Sequence, residues 1–257
     1  MRFVKQSALD GARPARYNAS QESGGTRMKT IGLIGGMSWE STVTYYQVIN
    51  EKINHTLGGY HSAKVLLYSV DFAEVEQAQR KEDWARVGEL LADAAARLER
   101  GGADFVLLGT NTMHKCSEQI TAAIRVPFIH IADATADALL AQGVRRVALL
   151  GTRYTMEQDF YKQRLISRGI AVDIPAAPER AMIHRVIFEE LCFGKHVAQS
   201  KQAYLDVIRL MADAGAQAVV LGCTEIGMLV SQADTPVPLV DTTLVHAARA
   251  AELALES

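Results

Sequence analysis

A short apolar run closed by a glycine and a polar loop recurs in this 257-residue chain at a nearly fixed offset. The run 31–34 before Gly35 is matched by 147–150 before Gly151, with Leu33 and Leu149 separated by 116 residues. The run 106–108 before Gly109-Thr110 is matched by 219–221 before Gly222-Cys223, an offset of 113, and Val-Pro pairs at Val126 and Val237 lie 111 apart. Continuous apolar runs bounded by glycine read as buried parallel strands, and amphipathic stretches such as 84–98 read as the helices between them. Strand and helix alternating twice over at one offset specify an α/β chain made of two pseudo-symmetric parallel-sheet domains, related by internal duplication. The expected division is a first domain at 28–142 and a second at 143–257, with the last helix able to cross back to the first. Residues 1–27 are rich in Gly, Ser and Arg and lack an apolar core, so they read as a disordered extension.

Open parallel sheets bind ligands beyond the carboxyl ends of their strands. Thr110 and Cys223 both occupy such ends, so the simplest assembly sets them on opposite sides of one small ligand in the cleft between the domains. The loops after Gly35-Gly36 and Gly151-Thr152 open helices, and free N–H groups there can hold a carboxylate. The Gly32-x-x-Gly35 spacing does not meet the dinucleotide fingerprint. Arg80, shortly after an expected strand at 64–70, is either a carboxylate clamp or a solvated surface charge.

Composition narrows the classes of function. Twenty-nine acidic against 27 basic side chains give a net charge of −2, which argues against a nucleic-acid surface, and no apolar run is long enough for a membrane span. Three widely spaced cysteines, Cys116, Cys192 and Cys223, suit free thiols in a reducing, cytoplasmic setting rather than a disulfide framework. Cys116 and Cys192 read as packing thiols, and His114 and His130 as hydrogen-bonded structural histidines. The sequence carries no cluster of metal ligands and no lysine motif for a pyridoxal cofactor, so no cofactor is expected. Two groups facing one carbon suit removal of a proton from one face and its return to the other. Of the two, only the thiol has a pKa near enough to neutrality to serve readily as a base.

The segments GLIGGMSWEST (32–42), TNTMHK (110–115) and GCTEI (222–226) resemble the aspartate/glutamate racemases, cofactor-independent enzymes with two pseudo-symmetric α/β domains. The resemblance runs from Met28 to the C-terminus. It implies that Cys223 exchanges the proton on one face of Cα and that Thr110 stands on the other. It further implies that Asn111, Thr112 and Thr224 bond the α-carboxylate or amino group, that Met37 and Ser38 line the access loop, and that Gln79 and Arg80 meet the side-chain carboxylate. Lys162 and Lys195 are both candidates for a cationic position in the second domain. The family pattern has cysteine at both base positions, and threonine at the first resembles the branch specific for L-aspartate and L-glutamate. A small amino acid as substrate and a homodimer are expected, with neither nucleic acid nor membrane as a partner. The rival readings are a one-thiol relative, similar to arylmalonate decarboxylase or maleate isomerase, and a non-catalytic amino-acid-binding module.

Overall fold

A computed structural model describes residues 27–256. The extension expected at 1–27 falls outside the described residues except for Arg27, whose guanidinium pairs with Asp104 at 3.3 Å. The strands are β1 (Ile31–Gly35), β2 (Val65–Ser69), β3 (Phe105–Leu108), β4 (Phe128–Ile129), β5 (Arg146–Gly151), β6 (Ala171–Asp173), β7 (Ala218–Gly222) and β8 (Leu239–Asp241). Between them run α1 (Trp39–Leu57), α2 (Phe72–Arg80), α3 (Trp84–Arg100), α4 (Ser117–Ala123) and α5 (Ile131–Ala141). The second half carries α6 (Arg153–Glu157), α7 (Asp159–Ser167), α8 (Ala177–Glu189), α9 (Ala198–Asp213), α10 (Ile226–Leu229) and α11 (Thr242–Leu255).

The strands form two four-stranded parallel sheets of the same order, β2-β1-β3-β4 and β6-β5-β7-β8. β1, β3 and β7 are buried at every position, as expected of strands covered by helices on both faces. Glycines end the strands for steric reasons. A Cβ on Gly36, which has φ +95°, would lie 2.3 Å from the carbonyl of Val70, so only glycine makes the turn after β1. A Cβ on Gly151 would lie 2.7 Å from the carbonyl of Gly222, where β5 and β7 end side by side.

The helices at the two chain crossings are exchanged. α5 directly follows β4, yet its Ile131, Ala132, Ala136 and Leu139 pack with Val147, Leu149 and Val220 of the second sheet. By packing, 131–141 therefore goes with the second half, although it precedes position 142. α11 does the converse, placing Ala247, Ala250, Ala251 and Ala254 against Ile31, Leu33, Tyr45 and Phe105. The alanines let α11 lie close to α1, and Lys29 N–H donates to the Ala254 carbonyl at 2.9 Å.

Three buried histidines sit at this crossing. His114 Nδ1 donates to the Thr110 carbonyl (2.7 Å), and its Nε2 accepts the Ile131 N–H (3.1 Å). His246 Nε2 donates to the Ile129 carbonyl (2.9 Å), and its Nδ1 accepts from Tyr45 Oη (2.8 Å). His130 caps α5 by accepting the Ala132 N–H. The bonding pattern assigns neutral rings to His114 and His246. Burial depresses the pKa of all three, that of His246 to about 4.

Candidate active site

Parallel strands in equivalent sheets deliver their carboxyl ends to the cleft between them. Met37 follows β1, Thr110 and Thr112 follow β3, Thr152 follows β5, and Cys223 and Glu225 follow β7; all six line one cavity of ≈ 30 Å³. Thr110 and Cys223 thus share a wall-to-wall space, 8% and 7% exposed respectively. Phe72, Gln79 and Phe188 close the cavity from the helices α2 and α8. The space is far below the roughly 300 Å³ of an ordinary ligand pocket, so admitting an amino acid requires the halves or their side chains to part.

Glu225 is the polar centre of the cavity. Its Oε2 accepts from Cys223 Sγ (2.9 Å) and Thr224 Oγ1 (2.7 Å), and its Oε1 from Ser38 Oγ (2.9 Å) and Ser41 Oγ (3.0 Å). Ser41 Oγ also lies 2.9 Å from Thr224 Oγ1. Ser38 is the N-cap of α1, so the carboxylate of one half is held by the helix start of the other. Burial pushes the Cys223 thiol well above the usual range, and the neighbouring Glu225 charge raises it further. The resting group is therefore a thiol donating to a carboxylate.

The other half has the same frame with different side chains. Gly109-Thr110-Asn111-Thr112 corresponds to Gly222-Cys223-Thr224-Glu225, which puts Thr112 in the place of Glu225. Thr112 Oγ1 lies 2.9 Å from Oγ1 of Thr152, the N-cap of α6, and 3.4 Å from Oγ1 of Thr155. The pair Thr152 and Thr155 answers Ser38 and Ser41 at the same spacing. Hydroxyl meets hydroxyl here, where carboxylate meets hydroxyl on the opposite side.

The other residues expected at the site are placed unevenly. Met37 lines the cavity. Gln79 is buried in the last turn of α2, a helix of nine residues. Arg80 is on the outer rim, its guanidinium 2.9 Å from Glu76. Asn111 Nδ2 donates to Thr242 Oγ1 at 3.0 Å, while its Oδ1 is buried with no hydrogen-bond partner among the described residues. Lys162 and Lys195 lie away from the cavity. Lys162 Nζ donates to the Glu157 carbonyl (3.0 Å) and faces Asp159 (3.6 Å), and Lys195 lies over the Phe193 ring on an exposed loop. Two of the loop amides are engaged within the protein: Gly36 N–H donates to Thr42 Oγ1 (2.8 Å) and Arg153 N–H to His184 Nδ1 (3.2 Å).

Sequence reasoning passed over Glu225, Thr152, Thr155, Arg153 and His184. Glu225 stood inside the GCTEI segment, and a carboxylate two residues after a strand-end thiol was the available signal. The hydroxyl pairs at 38/41 and 152/155 were a second signal, repeated at the offset of the duplication. Among the described residues, no group of three or more His, Cys, Asp or Glu side chains is placed to hold a metal ion. No described helix is long and apolar enough to cross a membrane.

Comparison with known proteins agrees with this geometry. The family model for Asp/Glu/hydantoin racemase matches residues 34–250. A solved protein from Yersinia pestis, named as an Asp/Glu racemase candidate, is 50% identical and superposes with a TM-score of 0.84 over 89% of this chain and 100% of its own. An aspartate racemase homologue from Pyrococcus horikoshii OT3 is 35% identical, with a TM-score of 0.76 over 89% of this chain and all of its own. The broad specificity amino-acid racemase RacX of Bacillus subtilis is 23% identical over 216 residues, 83% of this chain and 92% of that protein. The match covers both sheets and every strand end that lines the cavity, and the chain belongs to the Asp/Glu/hydantoin racemase family, as an isomerase of the amino-acid racemase type.

Proposed function

We propose that the cleft exchanges the Cα proton of aspartate or glutamate, with Cys223 acting on one face and Thr110 standing on the other. The observation that carries this reading is the Cys223 Sγ to Glu225 bond of 2.9 Å in a cavity also lined by Thr110. Glu225 takes the thiol proton as Sγ removes the Cα proton, leaving a carbanion conjugated with the α-carboxylate. A proton returned on the Thr110 side completes inversion. An alcohol can protonate a carbanion but is a weak base, and among the described residues no carboxylate is bonded to Thr110 to help it. The reaction is therefore lopsided, faster from the enantiomer whose Cα–H faces Cys223.

The remaining assignments follow the same frame. Gln79, buried against the cavity, and Arg80 at its rim would meet the side-chain carboxylate. Asn111 Oδ1 would accept from the ammonium, Thr112 and Thr224 would turn hydroxyls to the substrate as the cleft opens, and Met37 and Ser38 would close behind it. The positions of Lys162 and Lys195 do not favour either as a contact. The exposed stripe Trp39, Val43 and Tyr46 on α1 supports a homodimer, and the free thiols support a cytoplasmic setting. The decisive measurement is Cα–H exchange in D₂O, followed by proton NMR with each enantiomer of aspartate and glutamate. Exchange is expected for both compounds or one, with unequal rates for the enantiomers. Equal rates would remove the lopsided mechanism, and no exchange at all would remove the racemase assignment of the cleft. A single thiol also suits decarboxylation followed by one-sided protonation, and release of carbon dioxide from an arylmalonate in place of exchange would select that reading.

A further inference from the structure

Beside the catalytic cavity lies a larger hollow of ≈ 340 Å³, lined by Glu76, Gln79, Arg80, Arg153, Tyr154, His184 and Phe188. Gln79 and Phe188 belong to both spaces, and Thr152, which lines the inner cavity, is the residue before Arg153. The hollow is thus an anteroom to the cavity, and it has the volume of an ordinary ligand site where the inner space does not.

Its charges are unbalanced. The one carboxylate in the lining, Glu76, is held by Arg80 at 2.9 Å. Arg153 has no acidic partner among the described residues; its guanidinium lies over the Tyr154 ring, 5.4 Å from the centroid. Two cations outside the lining are engaged with Glu157, Arg180 with its carboxylate at 2.9 Å and Lys162 with its carbonyl at 3.0 Å. His184 Nδ1 accepts the Arg153 N–H, so the neutral ring keeps its proton on Nε2 as a donor. Burial and the adjacent Arg153 charge both depress the His184 pKa, which keeps the ring neutral beside the guanidinium. One unpaired fork of N–H donors, one neutral donor and an aromatic wall suit a carboxylate.

We propose that this anteroom is a carboxylate-binding subsite and that Arg153 is its specificity-determining residue, selecting dicarboxylic over monocarboxylic ligands. For its substrate this inference rests on the racemase reading of the adjoining cavity. The experiment uses succinate, a diacid with no amino group and no stereocentre, titrated calorimetrically into the full chain, alongside acetate. Succinate is expected to bind more tightly than acetate. Arg153→Gln should weaken succinate by roughly tenfold or more, the loss typical of one charge-assisted contact, with Arg153→Lys recovering part of it. In turnover, Arg153→Gln should raise KM for the acidic amino acid while changing kcat by less than about threefold, since the contact is made before the chemistry as well as during it. Unchanged succinate affinity in Arg153→Gln, or no preference for succinate over acetate in the parent chain, would overturn the subsite. Succinate binding that needs Arg153, in a protein that exchanges no amino-acid proton, would keep the subsite and overturn the racemase reading instead.

Discussion

Strand β7 delivers Cys223 and Glu225 to the cleft, and its counterpart β3 delivers Thr110 and Thr112. The frames around them match: a buried strand, a glycine, and a helix start from the opposite half presenting two hydroxyls, Ser38 and Ser41 on one side and Thr152 and Thr155 on the other. What differs is a pair of side chains, not one. The thiol has a carboxylate bonded to it, and the alcohol has none. Duplication thus preserved the scaffold on both sides of the cavity, while a bonded thiol–carboxylate couple sits on one side alone. A base is a thiol or alcohol together with its acceptor, and changing either member alone leaves half a device.

That comparison can be broken most severely at Cys223. Cys223→Ala should lower Cα–H exchange by roughly 10³-fold, within the usual range for loss of a general acid–base group, while circular dichroism stays unchanged. Next in size is Glu225→Gln, which removes the charge but keeps the shape. Exchange should fall by about 10²-fold. The Cys223 thiol should also titrate at lower pH, because the charge that raises it is gone. Site-resolved alkylation followed by mass spectrometry against pH reads this directly, and an unmoved profile would mean that the two groups are not coupled.

A subtler change addresses the other face. Thr110→Cys alone places a thiol without its acceptor, so the ratio of exchange rates for the two enantiomers should shift toward unity only slightly. Thr110→Cys combined with Thr112→Glu should shift it by a further factor of about ten, as acid–base assistance appears on that side. Equal ratios for the single and double variants would reduce the comparison to the thiol.

The last expectation concerns stability, not exchange. The histidines beneath Thr110 are buried and neutral, with depressed pKa values, so the unfolded chain binds protons that the folded chain refuses. Their contribution is fully present above about pH 6.5. For His246 it is lost as pH falls toward its folded value of about 4, a change on the order of a few kcal/mol. Urea midpoints measured at pH 7.5, 5.5 and 4.5 should fall in that order, and a flat series would mean that the rings already carry protons.

Much of this arrangement was legible in the sequence because it is local. Runs such as 106–108 and 219–221 can only be covered strands, and strands that end in glycine in a duplicated α/β chain bring Thr110 and Cys223 to one cleft. The helix Phe72–Arg80 was less legible. It buries Val75, Ala78 and Gln79 amid four polar neighbours, Glu74, Glu76, Gln77 and Arg80, and its one polar buried side chain looks like solvated sequence until α2 is docked. Glu225 was visible but its role was not, since the hydroxyls that hold it come from Ser38 and Ser41, 187 and 184 positions away. Arg153 and His184 lay in what read as a loop and a helix, and only packing of α6 beside α8 turns them toward one hollow. Alternation likewise names neighbours along the chain, not across it, so while the return of the last helix was foreseen, the crossing of α5 to the second sheet was not.

That trade has a consequence for how the protein is made. α11 supplies Ala247, Ala250, Ala251 and Ala254 to the core around β1 and α1, which leave the ribosome some two hundred residues earlier. The first sheet therefore waits, with one face covered only by α1, until α11 has been synthesised, whereas the second sheet has α5 in hand from its outset. Although its sequence is read first, the half bearing Thr110 is the last to be completed during translation. In a cell it is the half for which a holding chaperone has the longest opportunity to bind.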